Sequence, residues 1–229
     1  MNKKIGALVL TGVLSAASLS SANAANLVLN GSFENGLVGW TIGGVDAQGY
    51  PPVAIFYNSA TPYPTGAFGE AIPYNNAPTN SPDAVGERAA YFVSDLATNQ
   101  SLSQTVLGVA AGQYQIGFSS YAPANGFANI YDATFGGVIA NVLLASYAVS
   151  TGPVTTWQTF ASSGVNLAAG NYVVQFVFNT TGFPAKDVVI DQVYMIAGDP
   201  PPPVPLPAAA WLLLSGLAGL GVVGRRKAK

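Results

Sequence analysis

Tyr172-Val173-Val174-Gln175-Phe176-Val177-Phe178 alternates about its backbone: Tyr172, Val174, Phe176 and Phe178 fall on one side, Val173, Gln175 and Val177 on the other. A period of two is the signature of a half-buried β-strand, and a helix would repeat near 3.6. Tyr114, Ile116 and Phe118 alternate with Gln115 and Gly117 in the same way. Working outward, the pattern predicts further strands at Asn26–Asn30, Trp40–Ile42, Ala89–Val93, Ser101–Val106, Ala128–Phe135, Val138–Tyr147, Thr156–Ala161 and Val188–Ile196. Turn formers separate them at Ala111-Gly112, Asn125-Gly126 and Ala169-Gly170, and Gly136-Gly137 reads as a tight hairpin. No long helical period occurs in this body. Some ten short strands predict an all-β fold, an antiparallel two-sheet sandwich of the jelly-roll kind spanning residues 25–198.

Composition narrows the chemistry. The 229 residues contain no Cys and no His, which removes disulfides, thiol nucleophiles, Ser-His-Asp triads and zinc or haem held by those ligands. Carboxylate hydrolysis and oxygen-ligated calcium survive. Charge is unevenly spread. Lys3, Lys4, Arg225, Arg226, Lys227 and Lys229 sit at the ends, so the body holds two cations, Arg88 and Lys186, against all 10 acids, a net −8. Such a body repels nucleic acid and anionic lipid.

The two ends read as addresses. Lys3-Lys4, the apolar stretch from Ile5 to Leu14 and Ala22-Asn23-Ala24 have the order of a signal peptide over 1–24, cut after Ala24. The partners implied are the Sec translocon and signal peptidase. At the other end, residues 199–207 are a proline-rich linker, 208–224 an uncharged apolar run, and 225–229 a basic tail. Prolines exclude helix and ladder and favour an extended spacer. Ala208 to Val223 would form a helix of about 24 Å at ~1.5 Å per residue, somewhat under a ~30 Å hydrocarbon core. Trp211 suits one interface, and Arg225 and Arg226 the cytoplasmic one, which leaves the body outside.

Val204-Pro205-Leu206-Pro207-Ala208-Ala209-Ala210-Trp211-Leu212, the Gly-rich apolar run and Arg225-Arg226-Lys227 resemble the PEP-CTERM sorting signal of Gram-negative bacteria in its VPLPA variant. Leu206 stands where the better-known form has Glu. The resemblance implies recognition by an exosortase, a membrane-embedded cysteine transpeptidase-like enzyme that would cut near Val204 to Pro207. It also implies delivery of the body to the cell surface or the extracellular polysaccharide matrix after a transient stay in the inner membrane.

The body has a resemblance of its own. Asn26-Leu27-Val28-Leu29-Asn30-Gly31-Ser32-Phe33-Glu34 with Gly39-Trp40, then Ser103-Gln104-Thr105-Val106, Trp157-Gln158-Thr159-Phe160 and Val189-Ile190-Asp191-Gln192-Val193 are similar, in that order, to galactose-binding-like jelly rolls. These include carbohydrate-binding modules. The resemblance implies that the first and last strands run together and share a structural calcium, with Glu34 and Asp191 matching its ligands. Gln192 stands where a second Asp or Asn is usual. No cofactor is required by the resemblance beyond that calcium.

Residues 46–87 break the strand rhythm. They hold Pro51, Pro52, Pro62, Pro64, Pro73, Pro78 and Pro82 among Tyr50, Phe56, Tyr57, Tyr63, Phe68 and Tyr74. A connection this long is usually functional or unstructured. Aromatic rings with amide neighbours suit stacking on sugar faces, so Tyr50, Tyr57, Tyr63 and Tyr74 are candidate contacts for an extracellular polysaccharide. The other reading has the same rings pinning the loop onto the sandwich as a satellite core. A glycosidase would need two carboxyls flanking a cleft; Glu34, Glu70, Asp83, Glu87, Asp95, Asp132 and Asp187 are available, and Glu70 with Glu87 is one such pair. Nothing in the spacing marks that pair as catalytic, and Glu87-Arg88 reads as an ion pair, so the chain is read as non-enzymatic.

Overall fold

The computed structural model describes residues 24–44, 51–57, 77–92, 99–123, 131–182 and 185–198. Among the described residues there are ten strands: β1 (Thr41–Gly43), β2 (Val53–Phe56), β3 (Arg88–Phe92), β4 (Gln100–Val109), β5 (Gly112–Tyr121), β6 (Ala133–Ile139), β7 (Val142–Ala148), β8 (Gln158–Leu167), β9 (Gly170–Thr180) and β10 (Val188–Ala197). They form two antiparallel five-stranded sheets. Sheet I runs β1-β4-β9-β6-β7 and sheet II runs β2-β3-β10-β5-β8, so the chain passes repeatedly from one sheet to the other. The all-β sandwich expected from the periodicity is the architecture found.

The core lies between the sheets. Leu102 and Val106 of β4, Phe135 and Ile139 of β6, and Val174, Phe176 and Phe178 of β9 pack against Ala90 and Phe92 of β3, Ile116 and Phe118 of β5, and Val188, Ile190 and Met195 of β10. Phe118 and Phe176 meet edge to face at 4.9 Å between ring centres, a favoured geometry for two quadrupoles.

Three expected details differ. Gly136-Gly137 is inside β6, and the hairpin turns at Ala140-Asn141, both at positive φ (51° and 65°), as a two-residue primed turn requires. Gly137 is small for packing: a Cβ there would sit 2.8 Å from the Phe118 ring. Asn26–Asn30 is not a strand. Asn26 Oδ1 accepts from Val28 N (3.1 Å) and Met195 N (3.0 Å), while its Nδ2 donates to Val193 O (2.9 Å). The side chain thus takes the place of ladder partners and still ties the N-terminal segment to β10. The insert contains β2, four residues paired to β3, which the proline-rich surroundings hid.

One edge strand of each sheet, β7 of sheet I and β8 of sheet II, carries an extra residue. On β7, Ala145 and Leu143 face the adjacent Gly137 and Val138, so Leu144 is the added residue. On β8, Val165 and Ser162 face Tyr114 and Ile116, with Gly164 at φ 69° between them. Such bulges twist an edge away from further pairing.

Among the described residues, no helix is long and apolar enough to cross a membrane. The sorting and membrane residues Val204, Pro205, Leu206, Pro207, Arg225 and Arg226, with 208–224, lie outside the described residues, as does Ala22 of the leader.

Candidate functional site

The outward face of sheet II is covered by a second core. Ala89 and Tyr91 of β3, Tyr121 of β5 and Val189 of β10 cluster there with Trp157, and Ile55, Tyr57 and Ala77 from the two legs of the insert pack onto them. Trp157 lies 5.4 Å from Tyr121 and 6.1 Å from Tyr57, ring centre to ring centre. The return leg is fixed by polar contacts as well. Ser119 Oγ and Thr159 Oγ1 (3.1 Å) both donate to the Pro78 carbonyl, and Gln192 Nε2 donates to Ala84 O at 3.1 Å. The Tyr194 hydroxyl bonds Asn80, and its ring lies over Gly117, where a Cβ would come within 2.6 Å of the phenol oxygen.

Two buried carboxylates on β10 and its approach hold tyrosines of this face. Tyr91 OH donates to Asp187 Oδ2, and Tyr57 OH donates to Asp191 Oδ2. Asp191 is fully buried at a bulge: β10 spends four residues, Asp191 to Tyr194, against three of β5, Ser119 to Gly117, and Gln192 takes φ 54° to do so. Gln192 N donates to Asp191 Oδ1 at 2.6 Å. Burial pushes the Asp191 carboxyl well above the ordinary carboxylate range; the Tyr57 and Gln192 hydrogen bonds pull it down, and the charge of Glu34 pushes it up again. The Tyr57 hydroxyl is raised by burial first, then by Asp191 and Glu34.

Glu34 is therefore close enough to be felt by both. It follows Phe33, which turns the chain at φ 56°, and its Oε1 accepts from Glu87 N (2.9 Å) and Arg88 N (2.7 Å). Gly86, at φ 70°, leaves the room: a Cβ would stand 2.1 Å from the Glu34 carboxyl carbon. The structure thus brings together the two acids expected to share a cation, Glu34 and Asp191, and adds Tyr57. Their oxygens have the hardness calcium prefers, and the neighbouring Gln192 has a buried Oε1 with no partner among the described residues. Among those residues no group of three or more His, Cys, Asp or Glu converges.

Of the sugar-stacking candidates, Tyr57 is 6% exposed and takes part in the second core, so its ring supports the face from beneath. Tyr50, Tyr63 and Tyr74 lie outside the described residues, as does Glu70 of the hydrolase pair. Glu87 is exposed, and the expected Glu87–Arg88 ion pair is replaced by Arg88 stacking on Phe56, its guanidinium carbon 3.8 Å from the ring centre. A cleft of about 480 Å³ opens beside Asn26, Asn30, Glu34 and Asp83. Its amides are already used, for Asn30 Nδ2 donates to Gly36 O and Val38 O and Asn26 Nδ2 donates to Asp83 Oδ2. On the opposite flank Asp132 accepts from Ser150 Oγ (2.5 Å), Ser150 N and Ala133 N, and these bonds outweigh its slight burial to hold the carboxyl below its usual range.

No family model matches the chain, and no curated protein matches it. Similar solved structures exist. One is TmCBM61 in complex with β-1,4-galactotriose, at 19% identity and TM-score 0.49, covering 76% of this chain and 100% of that one. Another is the CBM22-2 xylan-binding domain of Paenibacillus barcinonensis Xyn10C, at 13% identity and TM-score 0.40, covering 72% of this chain and 96% of that one. Both are carbohydrate-binding modules. The enzymatically active domain of bacteriophage CBA120 tailspike protein 4 is also similar, at 16% identity and TM-score 0.45, covering 76% of this chain and 21% of that one. Likenesses this distant do not bear on what the chain binds.

Proposed function

We propose that this chain is a non-catalytic exported protein whose sandwich recognises a polysaccharide outside the cell through its aromatic insert. The observation that carries the reading is the anchoring of that insert. Tyr57 and Ala77, the last and first described residues on either side of 58–76, are both buried in the same cluster on sheet II. A recognition segment works best when its ends are fixed to a rigid scaffold, and the segment so held carries Tyr63, Phe68 and Tyr74. The leader over 1–24 and the VPLP–apolar–Arg-Arg-Lys tail support export through the Sec translocon and processing by an exosortase-type enzyme.

Pull-down on the extracellular polysaccharide of the source cell is the test. Tyr63→Ala and Tyr74→Ala should each weaken retention by about tenfold, since a stacked ring contributes on the order of 1 kcal/mol or more. Retention unchanged in both variants refutes the assignment. Intact-mass analysis of the secreted form should end near Val204 to Pro207; a mass that includes Trp211 to Lys229 refutes processing.

A structural calcium between Glu34 and Asp191 is a second reading, favoured by their convergence and by the unpartnered Gln192 Oε1. Calcium added to chelator-treated protein should then raise the melting temperature, and Asp191→Asn should abolish the rise.

A further inference from the structure

Arg88 is one of the body's two cations, yet it has no carboxylate partner among the described residues. Glu34 takes its backbone N–H, and the guanidinium lies on the ring of Phe56, its cross-strand neighbour. Arg88 shares its face of β3 with the core residues Ala90 and Phe92 but stands beyond them, at the rim of the sandwich. Phe56 is 49% exposed on β2, the edge strand of sheet II, immediately before the point where the aromatic segment departs. An aromatic ring holds a guanidinium in place through its π face and leaves the N–H donors uncommitted. The result is an open apolar ring beside a positioned fork of donors, at the base of the insert.

We infer that Phe56 and Arg88 form a sugar-binding subsite for a neutral polysaccharide, one pyranose setting its C–H groups against the ring face that Arg88 leaves free and the next unit, passing the ring's edge, offering hydroxyl oxygens that accept from the guanidinium. This rests on the polysaccharide reading above and adds to it the class of polymer. A guanidinium would also suit the carboxylate of a uronic acid. Electrostatics selects the neutral sugar: Glu34 sits on Arg88's own backbone N–H, Glu87 adjoins it, and the body carries a net −8. A polyanion approaching this rim meets repulsion that one cation does not cancel.

The test is calorimetric titration of the full mature chain with β-1,4-galactan, xylan and mannan as neutral polymers and alginate as the uronate polymer. Phe56→Leu, Arg88→Met and Arg88→Lys are compared with the wild type. The expected result is binding to a neutral polymer that weakens about tenfold in each variant, Arg88→Lys included, because Lys keeps the charge and loses the fork. Melting temperatures should move by about 2 °C or less, since both positions lie outside the core. Equal binding by wild type and all three variants would reduce the pair to a brace on the strand edge while leaving the polysaccharide reading intact. Binding confined to alginate and lost with added salt would overturn the choice of a neutral sugar. No binding to any polymer, nor to the cell's own polysaccharide, would overturn both readings.

Discussion

On sheet I the outward row of β9, Val173, Gln175, Val177 and Asn179, meets solvent; on sheet II the outward row of β10, Val189, Asp191 and Tyr194, is buried beneath the insert. The first is an ordinary sandwich surface, apolar within and open without. The second is a strand enclosed on both sides, where two aspartates are kept in place by tyrosine hydroxyls. The difference shows where the chain has invested. A bare sheet face is sufficient for folding, so the covering of sheet II, with its buried carboxylates and its fixed insert legs, points to the face that carries the specialised role.

The contrast can be broken most severely from inside. Phe176→Ala removes a ring at the centre of the core and should cost about 3–5 kcal/mol, whereas Val173→Ala, three residues away on the open face, should cost about 0.5 kcal/mol. Urea denaturation of the two variants measures both. Next comes the second core. Trp157→Phe should cost about 1–2 kcal/mol by loosening the packing of Tyr57 and Tyr121, while Gln175→Ala on sheet I should fall within about 0.5 kcal/mol of wild type. Equal effects would mean that the insert merely rests on its sheet.

The smallest effect sharpens the comparison through pH. Asp191 binds its proton more tightly folded than unfolded, because burial and Glu34 raise its folded pKa. In metal-free protein its contribution is therefore fully present below the unfolded carboxylate value near ~4 and is lost as pH rises through the folded pKa. Asp191→Asn, whose amide oxygen still accepts from Tyr57, should flatten that decline and leave the variant relatively more stable at the upper end. Melting curves across pH in chelator check the sign; a wild type that gains stability over this window would contradict it.

Legibility followed the same division. Strands open on one side, such as β9 and β4, announced themselves by alternation, and the two-sheet architecture followed from them. Where both faces are covered, alternation fades: Val188 to Met195 is buried throughout, so the strand could be located but not the bulge that sets Asp191 and Gln192 side by side beneath the insert. Asn26–Asn30 misled because its apolar residues resemble a strand while its asparagines bind the backbone. Gly136-Gly137 misled because a glycine needed to admit Phe118 looks, in sequence, like one needed for a turn. Trp157, and the pairing of Phe56 with Arg88, depend on which strands lie side by side, and no local pattern encodes that.

The extra residues in β7 and β8 have a further consequence. The body's net −8 already sets copies apart by repulsion, but salt screens that repulsion. The kinked margins at β7 and β8 add a second barrier, denying a neighbour a straight ribbon onto which to zip at those two edges. Avoidance of pairing at these two edges is thereby written into backbone shape and does not vary with the salinity of the surroundings.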